Sequence, residues 1–287
     1  MKFLIIDAYS EKSRAALADA GMTWAWKLYA GMLKRIIPSA DYTVFHPSDQ
    51  GAVFPGKNDL EQFDGVLWTG ADLTIFHTHI PSIRAQILLA ENVYEVGIPS
   101  YGSCWGIQMA AVAAGGEVQA NSRGREMGIG RKILLTEEGR HHPMMKGRAQ
   151  VFDAFESHYD IVVKPPEGAV ILAENDFSGI QAMSVTHKKG TFWSVQYHPE
   201  YNLHEMSRLT VVREKVLIDG GFFESPEDLK RHVERWEMLH SQPDRSDLRW
   251  QLGIDDDILD IGIRQQEFAN WINALVVPYS KRKEAQK

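Results

Sequence analysis

The sequence predicts an α/β fold in which an open, mixed, mainly parallel sheet carries helices on both faces. Over residues 2–114, short apolar runs typical of buried strands alternate with segments of helical periodicity, which favours parallel strands joined by helices. Over residues 130–196, apolar segments follow one another without intervening helices, and the sheet is therefore expected to be mixed. Residues 201–264 return to helical periodicity and predict a helical addition near the C-terminus.

The first half is predicted to alternate strand and helix. The strands are short apolar runs, and the helices have apolar side chains recurring every three to four residues. The predicted strands are residues 2–8, 42–45, 65–69 and a short strand ending at Gly102, and the predicted helices are residues 23–37, 81–96 and 105–114. Gly115 and Gly116 end the last of these helices.

The second half is predicted to be richer in strands. The predicted strands are residues 130–135, 150–155, 169–173, 181–186 and 191–196. In an open sheet of this kind, ligands bind beyond the carboxyl ends of the central strands. We therefore expect the active site there.

Composition excludes several classes of protein. The chain has 287 residues and a net charge of −7, and so lacks the basic surplus typical of nucleic-acid binding. No apolar run reaches the roughly 18 residues that would predict a membrane span, and the first apolar run is too short for a signal peptide. A single cysteine permits no internal disulfide, which indicates a reducing compartment. We expect a cytoplasmic protein without nucleic-acid or membrane partners.

The one cysteine, Cys104, stands where a strand is predicted to turn directly into a helix. Gly102 and Gly106 flank it two residues away on either side, which allows a tight turn that holds the side chain clear of its surroundings. The first amides of a helix beginning at Trp105 would point at the sulfur and favour negative charge on it. A lone cysteine is more often a small buried apolar residue, but this placement indicates a nucleophile.

A second segment, Ser194–Glu200, supplies a histidine and a carboxylate. Residues two apart in an extended chain point the same way, so Glu200 would lie beside His198. His198 could then act as the base for the thiol of Cys104, while Glu200 orients the imidazole and stabilises its charged form. A lone histidine is usually structural. The two segments together predict a Cys–His–Glu catalytic set.

The two segments resemble the motifs of the class I, or triad, glutamine amidotransferase family. The resemblance is carried by Gly97–Pro99, Gly102–Gln108 and Gln196–Glu200, and it covers roughly residues 1–202. It implies a flavodoxin-like fold and an enzyme whose cysteine attacks the γ-carboxamide of glutamine. Ammonia then leaves, and water hydrolyses the glutamyl thioester.

The resemblance also implies roles for individual residues. Cys104 would be the nucleophile, His198 the acid and base, and Glu200 the carboxylate that orients the imidazole. The segment Asp64–Gly70 resembles the oxyanion loop of the family, which implies the backbone amides of Gly70 and Trp105 as oxyanion donors. Glycine suits that position because the backbone must approach the substrate closely. Ala71 departs from the family, where many relatives carry glycine or serine.

Substrate-binding residues follow from two further similarities. The segment Glu156–Asp160 resembles the stretch whose backbone receives the amino-acid end of glutamine, which implies Ser157, Tyr159 and Asp160. Gln108 corresponds to the glutamine that closes the elbow motif and helps to bind the substrate.

The chain departs most from the family after Glu200. The whole chain, residues 1–287, is expected to form a single amidotransferase-like domain. The family's last helix is expected at residues 265–276, because Phe268, Trp271, Ile272 and Leu275 would share one face there. Residues 201–264 are then an insertion, with helices predicted at 203–218 and 226–239. The insertion could cover the substrate pocket, form a subunit interface, dock a partner or only cover one edge of the sheet.

The predicted activity is cleavage of the γ-amide of glutamine or of a γ-glutamyl compound through a glutamyl thioester. No domain that would activate an ammonia acceptor is visible, so a glutaminase would need a separate synthase subunit. A stand-alone γ-glutamyl amide or peptide hydrolase would not. A catalytically silent binding protein is the third alternative, and the intact Cys–His–Glu set argues against it. We expect no metal ion and no cofactor, and the sequence leaves open whether copies of the chain assemble.

Overall fold

A sheet of nine strands forms the centre of the computed structural model, which describes residues 1–285. Two further strands pair with each other outside this sheet. In chain order, the strands are β1 (Lys2–Ile6), β2 (Asp41–Phe45), β3 (Gly65–Trp68), β4 (Ser100–Ser103), β5 (Glu117–Ala120), β6 (Glu126–Leu135), β7 (Val151–His158), β8 (Asp160–Lys164), β9 (Ala169–Asn175), β10 (Gly179–His187) and β11 (Gly190–Val195).

Helices connect the strands and follow the last of them. They are α1 (Glu11–Asp19), α2 (Ala25–Ile36), α3 (Lys57–Leu60), α4 (Pro81–Val96), α5 (Trp105–Val112), α6 (Glu137–His141), α7 (Leu203–Val212), α8 (Glu214–Asp219), α9 (Pro226–Ser241), α10 (Ser246–Leu252), α11 (Asp256–Leu259), α12 (Ile261–Arg264), α13 (Gln266–Trp271) and α14 (Val277–Ala285). A short 3₁₀ turn (Pro143–Met145) and a π-helical turn (Ile272–Val276) complete the set. None of the helices within residues 1–285 has both the length and the apolar character needed to cross a bilayer.

The main sheet has the order β2-β1-β3-β4-β11-β10-β9-β6-β7. Strands β2, β1, β3, β4 and β11 are parallel, and the remaining neighbours pair antiparallel. The predicted open mixed sheet is therefore confirmed, with its parallel strands side by side. Since β3, β4 and β11 are adjacent and parallel, the segments that follow them meet at one edge of the sheet.

Both faces of the parallel half are covered by helices, as predicted. Alternate residues of β3 show this, because Trp68 packs in the apolar cluster beneath α4 and α5, whereas Leu67 packs in the cluster beneath α2 and α13. On the second face, Trp271 of α13 packs against Phe3 of β1 and Tyr101 of β4. These contacts bury the parallel strands on both sides and fix the strand ends that carry the site.

The C-terminal helix differs from its predicted bounds, residues 265–276. Helix α13 is followed by the π-helical turn and then by α14, so helical structure continues to Ala285. Pro278 lies in the first turn of α14, where the missing N–H of a proline is tolerated. The predicted apolar face is confirmed for Phe268, Trp271 and Ile272, which are all buried against the sheet.

The segment 201–264 folds as short helices that pack on the antiparallel half of the sheet. Its apolar side chains, among them Leu203, Leu209 and Trp236, form a third cluster with Phe155 of β7. Ser225 caps α9 as its sequence position indicates, since its hydroxyl accepts a hydrogen bond from the Asp228 amide at 3.2 Å. The helix predicted over residues 203–218 is instead two helices, α7 and α8, which meet at Arg213.

Candidate active site

Cys104 lies in the turn between β4 and α5, with its backbone in the left-handed region at a φ of 50°. Its amide donates a hydrogen bond to Val195 O at 2.9 Å, which ties the turn to the end of β11. The two flanking glycines touch each other, because a Cβ added to Gly102 would lie 2.8 Å from the Cα of Gly106 and 2.9 Å from Trp68 O. Glycine is therefore required for this strand-to-helix turn, which presents the thiol at the carboxyl end of the sheet.

His198 and Glu200 follow β11 and form a buried pair. The distance from His198 Nδ1 to Glu200 Oε1 is 2.7 Å, as expected for a charge-assisted hydrogen bond. The same carboxylate oxygen accepts a hydrogen bond from Ser103 Oγ at 2.9 Å, and Tyr201 stacks on the imidazole at 4.2 Å between ring centroids. With Nδ1 engaged by Glu200, the other ring nitrogen, Nε2, is the one left free for proton transfer.

Gly70 lies beside both Cys104 and His198. A Cβ built on Gly70 would lie 3.0 Å from His198 Cε1 and 3.7 Å from Cys104 Cβ. The amides of Gly70 and Trp105 have no acceptor among residues 1–285. Two backbone donors near a thiol and an imidazole can stabilise the oxyanion that forms when a thiolate attacks an amide carbonyl.

A cavity of about 290 Å³ opens over the thiol, at the lower end of the size range of small-molecule sites. The four residues predicted to bind substrate all line it. Gln108 donates from Nε2 to Asp160 O at 3.2 Å, while its Oε1 is buried without a partner among the described residues. Ser157 lies beside the thiol, with its carbonyl oxygen 3.9 Å from Cys104 Sγ, and Tyr159 is 44% exposed at the edge of the cavity.

Comparisons with known proteins agree with this geometry. The family model for class-I glutamine amidotransferases matches residues 75–216. A Pseudomonas protein, γ-glutamyl-L-1-hydroxyisopropylamide hydrolase, is 31% identical over 288 aligned positions, which cover 99% of this chain and 96% of that protein. The chain belongs to the class-I glutamine amidotransferase family. It is accordingly a cysteine-dependent amidohydrolase.

Other members of the family are similar over part of the chain or in fold alone. A GMP synthase of Nitrosomonas eutropha is 32% identical over 60% of this chain, a match that spans 32% of the synthase. A glutamine amidotransferase from Thermotoga maritima has the same fold, with a TM-score of 0.65 and 16% sequence identity over 96% of this chain and 98% of that one.

The electrostatics around His198 favour a charged imidazole. Burial opposes the charge on His198, but the Glu200 carboxylate and the neighbouring Cys104 outweigh burial and raise the pKa of His198 to about 10. A protonated imidazole next to a sulfur favours the thiolate, which is the nucleophilic form. The same imidazolium can donate a proton to a departing amine.

A second buried histidine lies behind the thiol. His158 Nε2 is 3.2 Å from Glu156 Oε2 and 3.3 Å from Glu126 Oε2. Burial opposes its charge, yet the two carboxylates outweigh burial and raise the pKa of His158 to about 10. The ligand atoms of these three residues lie close enough together to hold a metal ion. A metal would require a neutral imidazole, so the pKa of His158 favours an ion-pair cluster over a metal site.

This cluster makes stability depend on pH. The pKa of His158 is raised from 6.5, and burial raises the pKa of Glu156 from 4.5 to about 7, so the folded chain holds more protons than the unfolded chain between about pH 5 and 10. The contribution of His158 is complete below pH 6.5 and is lost as the pH rises towards 10. We expect the free energy of unfolding in urea to fall from pH 6.5 to 9. His158→Gln should make that slope less steep, and His198, whose pKa is also raised to about 10, should account for much of the remainder.

The exposed His141 provides the control for the pH experiment. His141→Gln should leave the slope as it is in the wild-type protein. An unchanged slope in His158→Gln would contradict the assignment of a charged His158.

The backbone strain at Cys104 gives a second prediction. Replacing alanine by glycine inside a helix or strand usually costs about 0.5–1 kcal/mol, but at a positive φ the sign reverses. Cys104→Gly should therefore be about 1 kcal/mol more stable than Cys104→Ala in urea unfolding. Ala110→Gly, inside α5, is the matched control and should be less stable than the wild-type protein. If Cys104→Gly proves less stable than Cys104→Ala, the turn is not strained.

Two arginines are among the cavity residues that the sequence analysis does not identify. Arg125 precedes β6, in the segment Arg125–Gly128, which resembles a family segment without an evident catalytic role. Arg213 lies in the middle of the helix predicted over 203–218, and no glycine or proline marks the break there. Both side chains line the cavity over Cys104, a position that only the three-dimensional packing defines.

Proposed function

We propose that this protein is a γ-glutamyl amide hydrolase that works without a synthase partner, with Cys104, His198 and Glu200 as its catalytic triad. The observation that carries the proposal is the convergence, at the ends of β4 and β11, of a strained thiol and a buried carboxylate-bound imidazole. The similarity to the Pseudomonas hydrolase supports the substrate class, because it extends over nearly all of both chains.

In the first half of the reaction, Cys104 Sγ attacks the γ-carbonyl carbon of the substrate. The carbonyl oxygen becomes an oxyanion and is stabilised by the amides of Gly70 and Trp105, each of which would be worth a factor of about 10² or more in rate. His198 donates its Nε2 proton to the amide nitrogen, the C–N bond breaks, and the amine leaves. A γ-glutamyl thioester remains on Cys104.

In the second half, water replaces the amine. His198, now neutral, accepts a proton from the water through Nε2 while the water oxygen attacks the thioester carbonyl. The C–S bond breaks, glutamate leaves, and the sulfur returns to its thiolate form beside the imidazolium. Glu200 keeps its hydrogen bond to Nδ1 throughout, which holds the ring in place and stabilises its charge.

The amino-acid end of the substrate would lie against α5, the end of β7 and the start of β8. Gln108, Ser157, Tyr159 and Asp160 line the cavity on that side. The buried Oε1 of Gln108 has no partner among the described residues, so it can accept a hydrogen bond from the α-ammonium group of a γ-glutamyl substrate. A reactive thiol requires a reducing environment, which favours a cytoplasmic location.

A glutaminase subunit of a larger synthase is the second candidate function. The GMP synthases among the relatives favour it, but the chain aligns with only 32% of the Nitrosomonas protein. In such an assembly, ammonia would pass to the synthase subunit.

One assay distinguishes the two candidate functions. The purified chain is given γ-glutamyl ethylamide, the γ-glutamyl amide of a small amino alcohol, and glutamine, and the released amine and glutamate are both measured. We expect turnover of the substituted amides without any added protein and at least tenfold lower kcat/KM for glutamine. Turnover of glutamine alone, stimulated by a copurifying protein, would overturn the proposal in favour of a synthase subunit. No turnover of any of these compounds would support a silent binding protein.

A further inference from the structure

Two arginines in the catalytic cavity lack a carboxylate partner. Arg213 donates from Nη1 to the hydroxyl of Ser157 and lies 4.0 Å from Met127 Sδ. The guanidinium of Arg125 lies 5.8 Å from the centre of the Tyr159 ring. Within residues 1–285, neither arginine forms an ion pair. The two guanidinium groups therefore face the same small cavity without an ion pair, although the carboxylates of Asp72 and Asp160 also line it.

Among residues 1–285 three arginines are buried: Arg14 and Arg148 are paired with carboxylates, and Arg264 donates to the carbonyl oxygens of Ile258 and Leu259. Arg14 binds both carboxylate oxygens of Asp49 at 2.7 and 2.8 Å, and the fully buried Arg148 lies 3.0 Å from Glu267. An unpaired guanidinium loses favourable hydration without recovering it in a charge-assisted hydrogen bond. The guanidinium groups of Arg125 and Arg213 have neither a carboxylate nor a carbonyl acceptor among the described residues, and both line the cavity that contains the thiol.

The two arginines also act on each other. Burial lowers the pKa of Arg125, and the nearby charge of Arg213 lowers it further. Cys104 and, to a smaller extent, Asp160 oppose this lowering of the pKa, but neither forms an ion pair with Arg125 among the described residues. An anion between the two guanidinium groups would relieve their repulsion and satisfy their free N–H donors.

We propose that Arg125 and Arg213 bind a carboxylate of the substrate, so that the enzyme selects amides that carry a carboxylate within reach of the scissile bond. The inference rests on the proposed function and extends it to the specificity of the same site. The carboxylate is either the α-carboxylate of the glutamyl group or a carboxylate on the leaving amine. Arginine suits both, because its planar guanidinium binds a carboxylate through two parallel hydrogen bonds.

The proposal gives a role to the segment 201–264. Arg213 lies where α7 ends and α8 begins, and this segment also supplies Val216 to the cavity wall. The hydrogen bond from Arg213 to Ser157 links the segment to the residue whose carbonyl oxygen contacts the thiol. The segment would then complete the substrate site, in addition to covering part of the sheet.

The test uses four amides that differ only in their carboxylates. γ-Glutamyl methylamide carries the α-carboxylate, 4-aminobutyryl glycine carries one on the leaving amine, γ-glutamyl glycine carries both, and 4-aminobutyryl methylamide carries neither. We expect Arg125→Gln and Arg213→Gln each to raise KM about 10- to 100-fold, the range for a hydrogen bond to a charged group, for amides with the recognised carboxylate. The kcat should change less than threefold. The pair of amides affected identifies which carboxylate is bound.

Arg249→Gln is the matched control, because Arg249 lies in the same segment and pairs with Asp256 outside the cavity. It should leave all four KM values unchanged. Arg125 and Arg213 variants that alter KM equally for all four amides, or for none, would overturn the proposal. Alkylation of Cys104 by iodoacetamide at the wild-type rate shows that a variant retains its folded site.

Protection of Cys104 tests the arginines without turnover. If the α-carboxylate is the group bound, L-glutamate should slow alkylation of the wild-type thiol by iodoacetamide, whereas 4-aminobutyrate, which lacks that carboxylate, should not. If the wild-type protein hydrolyses none of the amides but glutamate protection is lost in Arg213→Gln, the proposed function fails and carboxylate binding stands. If the wild-type protein hydrolyses the amides, but neither the KM values nor the protection of Cys104 changes in either arginine variant, the proposed function stands and the inference is overturned.

Discussion

Cys104→Ser is expected to lower kcat for γ-glutamyl amides by at least about 10⁴-fold, the scale of loss seen when a catalytic nucleophile is removed. A serine hydroxyl in place of the thiol is a much weaker nucleophile at neutral pH, because His198 would have to remove a far less acidic proton. The measurement is amine release at saturating substrate, with single-turnover mixing to detect any acyl-enzyme.

A loss of activity identifies Cys104 as the nucleophile only if the Cys104→Ser variant keeps its fold. Serine is close to cysteine in size and has the same backbone preferences, so the midpoint of urea unfolding should stay within experimental error of the wild-type value. The chain has no other cysteine, so loss of reactivity towards thiol reagents should be complete. A folded Cys104→Ser protein that retains more than a few per cent of wild-type activity would rule out Cys104 as the nucleophile.

Glu200→Gln is expected to lower kcat by about 10²- to 10⁴-fold, as for other triads that lose their carboxylate. The amide nearly matches the carboxylate in shape, but it removes the charge that chiefly offsets burial and raises the pKa of His198. His198 should therefore lose its proton at lower pH in the variant. The pH profile of kcat/KM should show its fall at high pH moved to lower pH than in the wild-type enzyme.

Ser103→Ala separates the charge of Glu200 from its hydrogen bonds. Ser103 Oγ donates to the same oxygen that binds His198, and Tyr29 OH lies 2.7 Å from that hydroxyl. Removing the hydroxyl leaves the Glu200 charge in place, so we expect less than a tenfold loss and an unmoved pH profile. Equal losses in Ser103→Ala and Glu200→Gln would indicate that Glu200 acts through its hydrogen-bonded position and not through its charge.

The parallel half of the fold could be predicted from the sequence because burial on both faces leaves a strong pattern. Strand β3 is a continuous apolar run, and α4 was predicted with the bounds Pro81–Val96 that the structure shows. The short strands β5 and β8 and the helix α1 were missed. Most of α1 is polar, and β5 and β8 form a separate two-stranded sheet, so neither the helical nor the alternating pattern is strong there.

The residues of the site also differ in whether the sequence predicts them. Cys104, His198 and Glu200 could be proposed from sequence because each lies in a short motif with local geometry, a glycine-flanked turn or a pair of residues two apart. Arg125 and Arg213 could not, because their shared cavity depends on how the segment 201–264 packs on the antiparallel strands. Such contacts, between residues about ninety positions apart, leave no spacing in the sequence.

The central claim is that Cys104 attacks the γ-carbonyl carbon of a glutamyl group. Its most direct test is mass spectrometry of the protein treated with 6-diazo-5-oxo-L-norleucine. This electrophile has the amino-acid end of glutamine and a reactive carbon near the position of the scissile amide. The account predicts one adduct per chain, located on the peptide that contains Cys104 and prevented by excess γ-glutamyl ethylamide. An unmodified protein, or an adduct on any other residue, would contradict it.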